Sequence, residues 1–411
     1  RGAIAFVEHF GDESPGGLRG CVEGLAGGLF LAAPMTVEVP GTDRGETGGG
    51  ETAKRPHIVV VGPGPRSAGG VWAVIRTVLS SPLSRRFRLQ LIPTHRDGPW
   101  VRKAAAAVGG LGRIFWVILR DRPDLLWIHT ASGYSLRRKM IVALLARLSR
   151  IPYVLHVHGA ELHLWYEHVS RVEKSLVRRV LRSARLVIAL SSTWEERLRS
   201  ITPCETTVIM NPVALPPRPP VGSTVPGRIV SVGRLGDRKG SRVLVRSLAI
   251  LRDRGVPAHL HLAGDGDHAA VEAEVRRVNA EGLVTVHTWL TPGDVSDLLD
   301  SAAIFALPSR DEGLPVALLE AMAHALPVVV TRVGGIPDLV EASVHGLFVH
   351  PDDPEGLADA LGRMVASPEE GLLMGEACRA TVDERCSLPV VVGQLDRALW
   401  RALDRPTART S

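Results

Sequence analysis

The sequence predicts an α/β protein of two Rossmann-like domains, each a doubly wound parallel sheet, with a ligand cleft between them. Three observations lead there. The chain has 411 residues, more than one ordinary core holds and enough for two domains of common size. From His57 onward, short β-branched runs alternate with amphipathic stretches, the pattern of strand, helix, strand units around a parallel sheet. That pattern breaks at Pro216, Pro217, Pro219 and Pro220, a semi-rigid connector, and then restarts. The expected divisions are an extension over 1–55, a first domain over 56–215, a linker over 216–227, a second domain over 228–390, and a C-terminal helix and tail over 391–411.

Expected strands in the first domain are 57–61, 88–92, 125–129, 153–157, 186–190 and 207–210, and in the second 228–232, 259–263, 284–287, 304–307, 328–331 and 347–349. Ligands of open α/β sheets gather at the carboxyl ends of strands, so residues just beyond these runs are the first candidates for a site. The stretch 1–55, with Gly48, Gly49 and Gly50 in a row, lacks sustained periodicity and is expected to be mostly disordered.

No uncharged apolar stretch approaches the roughly 18 residues of a spanning helix; the apolar run 114–119 is closed by Arg113 and Arg120. No transmembrane helix is expected. Cys21, Cys204, Cys378 and Cys386 form no CxxC pair, which fits a reduced, cytoplasmic setting rather than a zinc or redox motif. Glu23 interrupts the one candidate signal segment, so secretion is not expected. Charge is uneven: residues 56–218 carry 25 basic against 9 acidic side chains, and 219–411 carry 19 against 26. A basic surface attracts phosphates of any origin, nucleic acid, anionic lipid or a diphosphate-linked substrate, and the sign does not choose among them.

The most informative segment spans 309–349. The strand before it ends at Leu307, Gly313 permits an unusual turn, and Pro315 suits the first position of a helix. The amides of that helix start favour an anion above the strand ends. Glu320, five residues past Pro315, stands roughly 7–8 Å up the helix among apolar neighbours, where a lone carboxylate is costly unless it has partners.

The spacing Glu312, seven residues, Glu320, set in EGLPVALLEAMA and HALPVV, resembles the E-x7-E motif of retaining glycosyltransferase family 4, whose members have the GT-B fold. The resemblance covers about 56–400. It implies that Glu312 contacts hydroxyls of a donor sugar and Glu320 the ribose of its nucleotide, with Gly313, Leu314, Pro315 and Val316 lining sugar and diphosphate. Ser231 to Gly240 reads SVGRLGDRKG and matches the family's G-R-L and K-G pattern. Arg234 and Lys239 there are expected to offset charge on the departing diphosphate, where a metal acts in other transferases.

The first domain supplies the opposite wall. Gly69 and Gly70 open a helix after the first strand, so a phosphate or sugar can approach the backbone; by resemblance this pair lies near the donor diphosphate and acceptor. Its spacing does not match G-x-G-x-x-G, which disfavours nicotinamide binding. His156 and His158 project to the same side by strand alternation. One is expected to be a core histidine bonded to a carbonyl. His158, before Gly159, matches the family histidine that reaches the donor sugar. Glu161, His129 and His95 are candidate acceptor contacts. Asp265 and Asp267 have D-x-D spacing, but the segment reads as a strand-to-helix turn, and no metal or other cofactor is expected. His287 is expected to frame the nucleotide base.

The implied reaction transfers a sugar from a nucleoside diphosphate sugar to an acceptor hydroxyl with retention. Expected catalytic residues are His158, Arg234, Lys239 and Glu312. Partners are the donor and a glycan or lipid-linked acceptor of bacterial envelope or exopolysaccharide assembly, and no nucleic acid. An anionic membrane surface is a further partner through Arg137, Arg138, Lys139, Arg171, Lys174, Arg178, Arg179, Arg182 and Arg185, which lie on or near two predicted helices. A GT-B sugar-nucleotide epimerase and a catalytically silent GT-B partner protein share the fold. A phosphorylase needs a cofactor lysine, and Lys239 is the single lysine of the second domain.

Overall fold

A computed structural model describes residues 55–404 apart from 66, 68, 220, 221 and 289. The expectations for 1–54 and for the tail beyond 404 lie outside the described residues. The first sheet contains β1 (His57–Pro63), β2 (Arg88–His95), β3 (Leu125–Thr130), β4 (Tyr153–Val157), β5 (Leu186–Ala189) and β6 (Thr206–Val208), and the second contains β7 (Arg228–Val232), β8 (His259–Ala263), β9 (Val284–His287), β10 (Ile304–Leu307), β11 (Val328–Thr331) and β12 (Gly346–Val349). All pairings between them are parallel. The spatial orders are β2-β1-β3-β4-β5-β6 and β12-β11-β10-β7-β8-β9. Chain direction across each sheet reverses beside its first strand, at β1/β3 and at β7/β10. Loops diverge at such a switch point and leave a crevice above the strand ends.

Strand ends differ from expectation chiefly around Gly and Pro. β1 and β2 continue to Pro63 and His95 because each pairs with the other through an irregularity at Gly62/Pro63. Pairing there overrides the turn tendency of those residues. β6, an edge strand, closes at Val208, although Ile209 N–H still donates to Ala189 O at 2.9 Å.

Both faces of each sheet are covered. Helix Leu388–Asp404 returns from the second domain to the first, where Val391, Leu395 and Leu399 join Ile58, Val60 and Trp127 in one buried cluster. A second cluster crosses between the domains, bringing Leu190, Met210 and Val213 against Leu314, Leu318 and Cys386. Cys204, Cys378 and Cys386 are free thiols. Among the described residues no helix is long and apolar enough to cross a membrane.

Candidate active site

The switch point of the second sheet brings together the loops that follow β7 and β10. Gly240 sits at φ +72°, and a Cβ there would overlap the carbonyl of Pro308, so glycine is what lets the two loops touch. Across that contact Lys239 Nζ donates to Glu312 Oε1 at 2.5 Å, and Ser309 Oγ donates to the same oxygen at 2.7 Å. The Glu312 side chain is only 6% exposed and that of Lys239 14%. A carboxylate so enclosed needs its charge matched, and this pairing matches it. Arg238 Nη1 approaches the other oxygen, Glu312 Oε2, at 3.9 Å. Arg238 is itself held by donating to Asp311 O at 3.0 Å. One carboxylate oxygen is therefore anchored and the other is left for a further donor.

The first domain clamps the same loop. Trp194 Nε1 donates to Glu312 O at 3.3 Å, and Asn211 Nδ2 donates to Leu314 O at 2.8 Å. A Cβ on Gly313 would fall 2.8 Å from His158 O. Ser192 Oγ and Thr193 Oγ1 donate to the Asp338 carboxylate at 2.6 and 3.1 Å. The helix Val316–Ala323 begins one residue later than expected: Pro315, at φ −70° and ψ 123°, is its N-cap. The extended ψ of Pro315 continues the loop through Leu314, whose carbonyl Asn211 holds.

Glu320 is half-buried on that helix and makes no ion pair within 4 Å among the described residues. Burial pushes its carboxyl up to about 7, opposed by Arg76 on the facing helix Gly70–Leu79. Gly70 opens that helix so close to the second domain that a Cβ would lie 3.3 Å from Val316 Cγ2, and Gly69 before it has φ +112°. Asp311 is buried beside Glu312; burial, with Glu161 and Glu312 nearby, pushes it up to about 6.

On the first domain's wall, His158 follows β4 and its Nε2 lies 2.9 Å from Nδ1 of His129, at the end of β3. Burial pushes the His158 ring down to about 3, opposed by its interaction with the Asn211 side chain. His156 stacks on His158 with ring centroids 4.2 Å apart. Neither nitrogen of His156 bonds a carbonyl among the described residues; its ring lies over Trp127 instead.

The remaining candidates scatter. His95 ends the edge strand β2 and pairs with Asp97 at 3.2 Å. Glu161 is exposed at the start of helix Leu162–His168. Arg234 is exposed past β7, with no hydrogen bond or ion pair among the described residues. His287 ends the edge strand β9 beside His261, 3.0 Å between ring nitrogens. Asp267 caps helix His268–Arg277 by accepting from Ala270 N–H.

One expectation is corrected. Lys139 is not on the basic surface: it is 2% exposed and its ammonium donates to Thr94 Oγ1. Burial brings its pKa down to about 7. Sequence reasoning also missed Ser309, Trp194, Asn211 and Arg76. Ser309 stands three residues before Glu312 and was within reach of motif reading, whereas the others meet the site only through tertiary contact.

Comparison with known proteins bears on the family and the fold. Residues 226–367 match the family model described as "Glycosyl transferases group 1", and residues 53–213 match the "Glycosyl transferase 4-like domain". The putative colanic acid biosynthesis glycosyltransferase WcaL of Escherichia coli is 32% identical over 45% of this chain and 48% of its own length. The amylovoran biosynthesis glycosyltransferase AmsK of Erwinia amylovora is 30% identical over 59% of this chain and 62% of its own. Thus the chain spans only about half to three-fifths of these two relatives. The α-maltose-1-phosphate synthase of Mycobacterium tuberculosis is 33% identical over 71% of this chain and 82% of its own. Among solved structures, sucrose-phosphate synthase from Thermosynechococcus elongatus superimposes with a TM-score of 0.70 at 20% identity, covering 85% of this chain and 100% of that one. Anabaena HepE, solved in complex with UDP-glucose, gives 0.67 at 19% identity over 84% of this chain and 99% of that one. With both halves matched and the two-sheet architecture in place, this chain belongs to glycosyltransferase family 4, of GT-B fold.

Proposed function

We propose that the protein is a retaining hexosyltransferase that moves a sugar from a nucleoside diphosphate sugar to an acceptor hydroxyl in envelope or exopolysaccharide assembly. The observation that carries this is the Lys239–Glu312 pair at the switch point, with one carboxylate oxygen anchored and the other open to a hydroxyl donor. The bond from the anomeric carbon to phosphate breaks as the bond to the acceptor oxygen forms on the same face. The acceptor proton passes to the departing phosphate. Lys239, Arg234 and the amide end of helix Val316–Ala323 take up the negative charge, so this step calls for no metal. Glu312 and His158 hold the sugar, Glu320 the ribose, and His287 the base; Gly69 and Gly70 lie along the diphosphate. His95, His129 and Glu161 are the candidate acceptor contacts.

Retention of both Glu312 and Lys239 in contact favours transfer over a silent binding role. Pairing is less decisive against an epimerase, which also cleaves the anomeric bond. Assay of nucleoside diphosphate release from UDP-, GDP- and ADP-sugars, with and without acceptor glycans, separates the three. Release that depends on an acceptor is expected; epimer formation without acceptor, or no turnover of any donor that stabilises the fold, overturns the reading.

The ribose assignment gives a pH signature. Glu320's pKa is raised from 4.5 to about 7. Stability from its protonated form is therefore complete below the unfolded value and lost as pH rises through about 7. Ribose hydroxyls donate to the ionised form, so donor affinity moves the other way. Between pH 6 and 8 the Kd of a nucleotide sugar is expected to fall about tenfold, in step with the ionised fraction. Calorimetric titration of Glu320→Gln should abolish most of this slope, leaving a smaller step from Asp311. An unchanged slope removes Glu320 from the ribose.

Membrane association also belongs to the proposal, with a surface that differs from the expected one. Helix Trp100–Arg120 exposes Trp100, Phe115, Trp116 and Leu119 alongside basic Arg102, Lys103 and Arg120, the make-up of a helix lying in a lipid interface. The protein is expected to sediment with anionic vesicles more than with neutral ones. The double variant Phe115→Ser/Trp116→Ser should weaken that binding by roughly a hundredfold, from the loss of two buried aromatic side chains. Equal, low binding to both vesicle types would dispose of the idea.

A further inference from the structure

We propose that His129, His156 and His158 form a binding site for a late first-row divalent metal ion, with Zn2+ the preferred occupant. β3 and β4 pair in parallel with His129 opposite His156, so two imidazoles stand side by side on rigid strands. His158, two residues on, returns to the same side. Ring centroids are 5.0 Å apart for His129 and His156, 5.2 Å for His129 and His158, and 4.2 Å for His156 and His158. One nitrogen from each ring lies within 4.8 Å of the others. Zinc held by imidazoles at 2.0–2.1 Å separates its ligand atoms by roughly 3.3–4 Å, so small ring rotations close the site.

The second observation is unsatisfied polarity. His129 Nε2 and both nitrogens of His156 are buried without a hydrogen-bond partner among the described residues. Buried polar atoms almost always find a partner, and the hydrogen bond between His129 Nδ1 and His158 Nε2, at 2.9 Å, leaves these three atoms without one. A cation would take one nitrogen from each ring. Trp127, 1% exposed, underlies His129 and His156 with ring centroids 4.7 and 6.0 Å away and fixes their planes. His158 alone of the three is partly open to solvent, so a fourth ligand enters on its side.

Lys139 is the charge that opposes a cation beside His129. Three histidines with an open fourth position is the ligand set of catalytic rather than closed structural zinc. Here, on the transfer reading above, an ion on His158 would occupy the ring assigned to the sugar, so metal and donor exclude one another.

The full chain, stripped of metal by a chelator and titrated with Co2+, tests this without any activity readout, so it can fail while transfer stands, and the reverse. One equivalent is expected to bind with the intense ligand-field absorption of a four- or five-coordinate nitrogen site, and Zn2+ should displace it. His156→Gln and His129→Asn should each weaken binding by about a hundredfold or more, beyond the 10–100-fold typical of outer-shell changes, with folding checked by circular dichroism. His261→Ala, which removes the separate pair with His287, should leave binding unchanged. Absence of a one-to-one coloured complex with the wild-type chain overturns the site, which would then hold only water. Binding that survives His156→Gln and is lost in His261→Ala overturns it equally.

Discussion

Glu312→Gln is expected to lower kcat for acceptor-dependent nucleotide release by about 10²–10³-fold, the cost typical of removing one preorganised electrostatic contact to a transition state. Gln keeps the shape and still accepts from Ser309, but it leaves the Lys239 ammonium without its counter-charge. Fully buried pairs lose about 3–5 kcal/mol when one partner is removed. Lys239 retains 14% exposure and can turn toward water, so the stability loss should lie nearer about 1–3 kcal/mol. Lys239→Ala should reduce kcat to a similar degree. Because the two side chains act on one another before they act on substrate, the double variant Lys239→Ala/Glu312→Ala is expected to cost little more than either single change. Thermal melts must accompany the kinetics. A lowered Tm with kcat per folded molecule intact would show that the pair only holds two loops together, and the proposed chemistry would have to be moved elsewhere.

What could be read from the sequence divides along the range of the interactions. β4 and β7 to β11 lie at the expected residues because each is a short, largely apolar run set between turn or loop segments. Lys239 and Glu312 were within reach for a different reason. Each sits in a local motif just past a strand, and the switch-point rule brings such loops together whatever the intervening chain does. His129 was identified only as a strand-end histidine, since its meeting with His158 depends on β3 and β4 being spatial neighbours. Lys139 was misplaced for a related reason. In the run Arg137, Arg138, Lys139, the side chain that turns inward is decided by how helix Tyr134–Leu148 sits on the sheet, and Lys139 is buried there beneath two more exposed arginines. Trp194 and Asn211 carry no local signal, because their role is to hold a loop of the other domain.

That clamp yields the second large effect. Gly334 lies in the left-handed region at φ +57°, and a Cβ there would overlap the carbonyl oxygen of Glu312, the same oxygen that accepts from Trp194. The next residue, Gly335, donates its N–H to Gly313 O at 2.7 Å. The Glu312 backbone is thus wedged between the loop after β11 and the first domain, and it has no free direction in which to yield. Gly334→Ala is expected to destabilise by at least about 1–3 kcal/mol from its backbone conformation, with the overlap adding to this. Unlike a general loss of stability, it should also lower kcat of the folded protein toward that of Glu312→Gln, because the carboxylate moves with its carbonyl, and displacements of about 1 Å are enough to cost a hundredfold. Gly255→Ala separates the two causes. Its φ is +72°, yet nothing lies within 4 Å of a Cβ there, so it should show the conformational cost alone and keep full kcat. If both alanine variants lose the same stability and neither loses kcat, the Glu312 backbone is not under the constraint inferred here, and its side-chain position must be set by Lys239 and Ser309 alone.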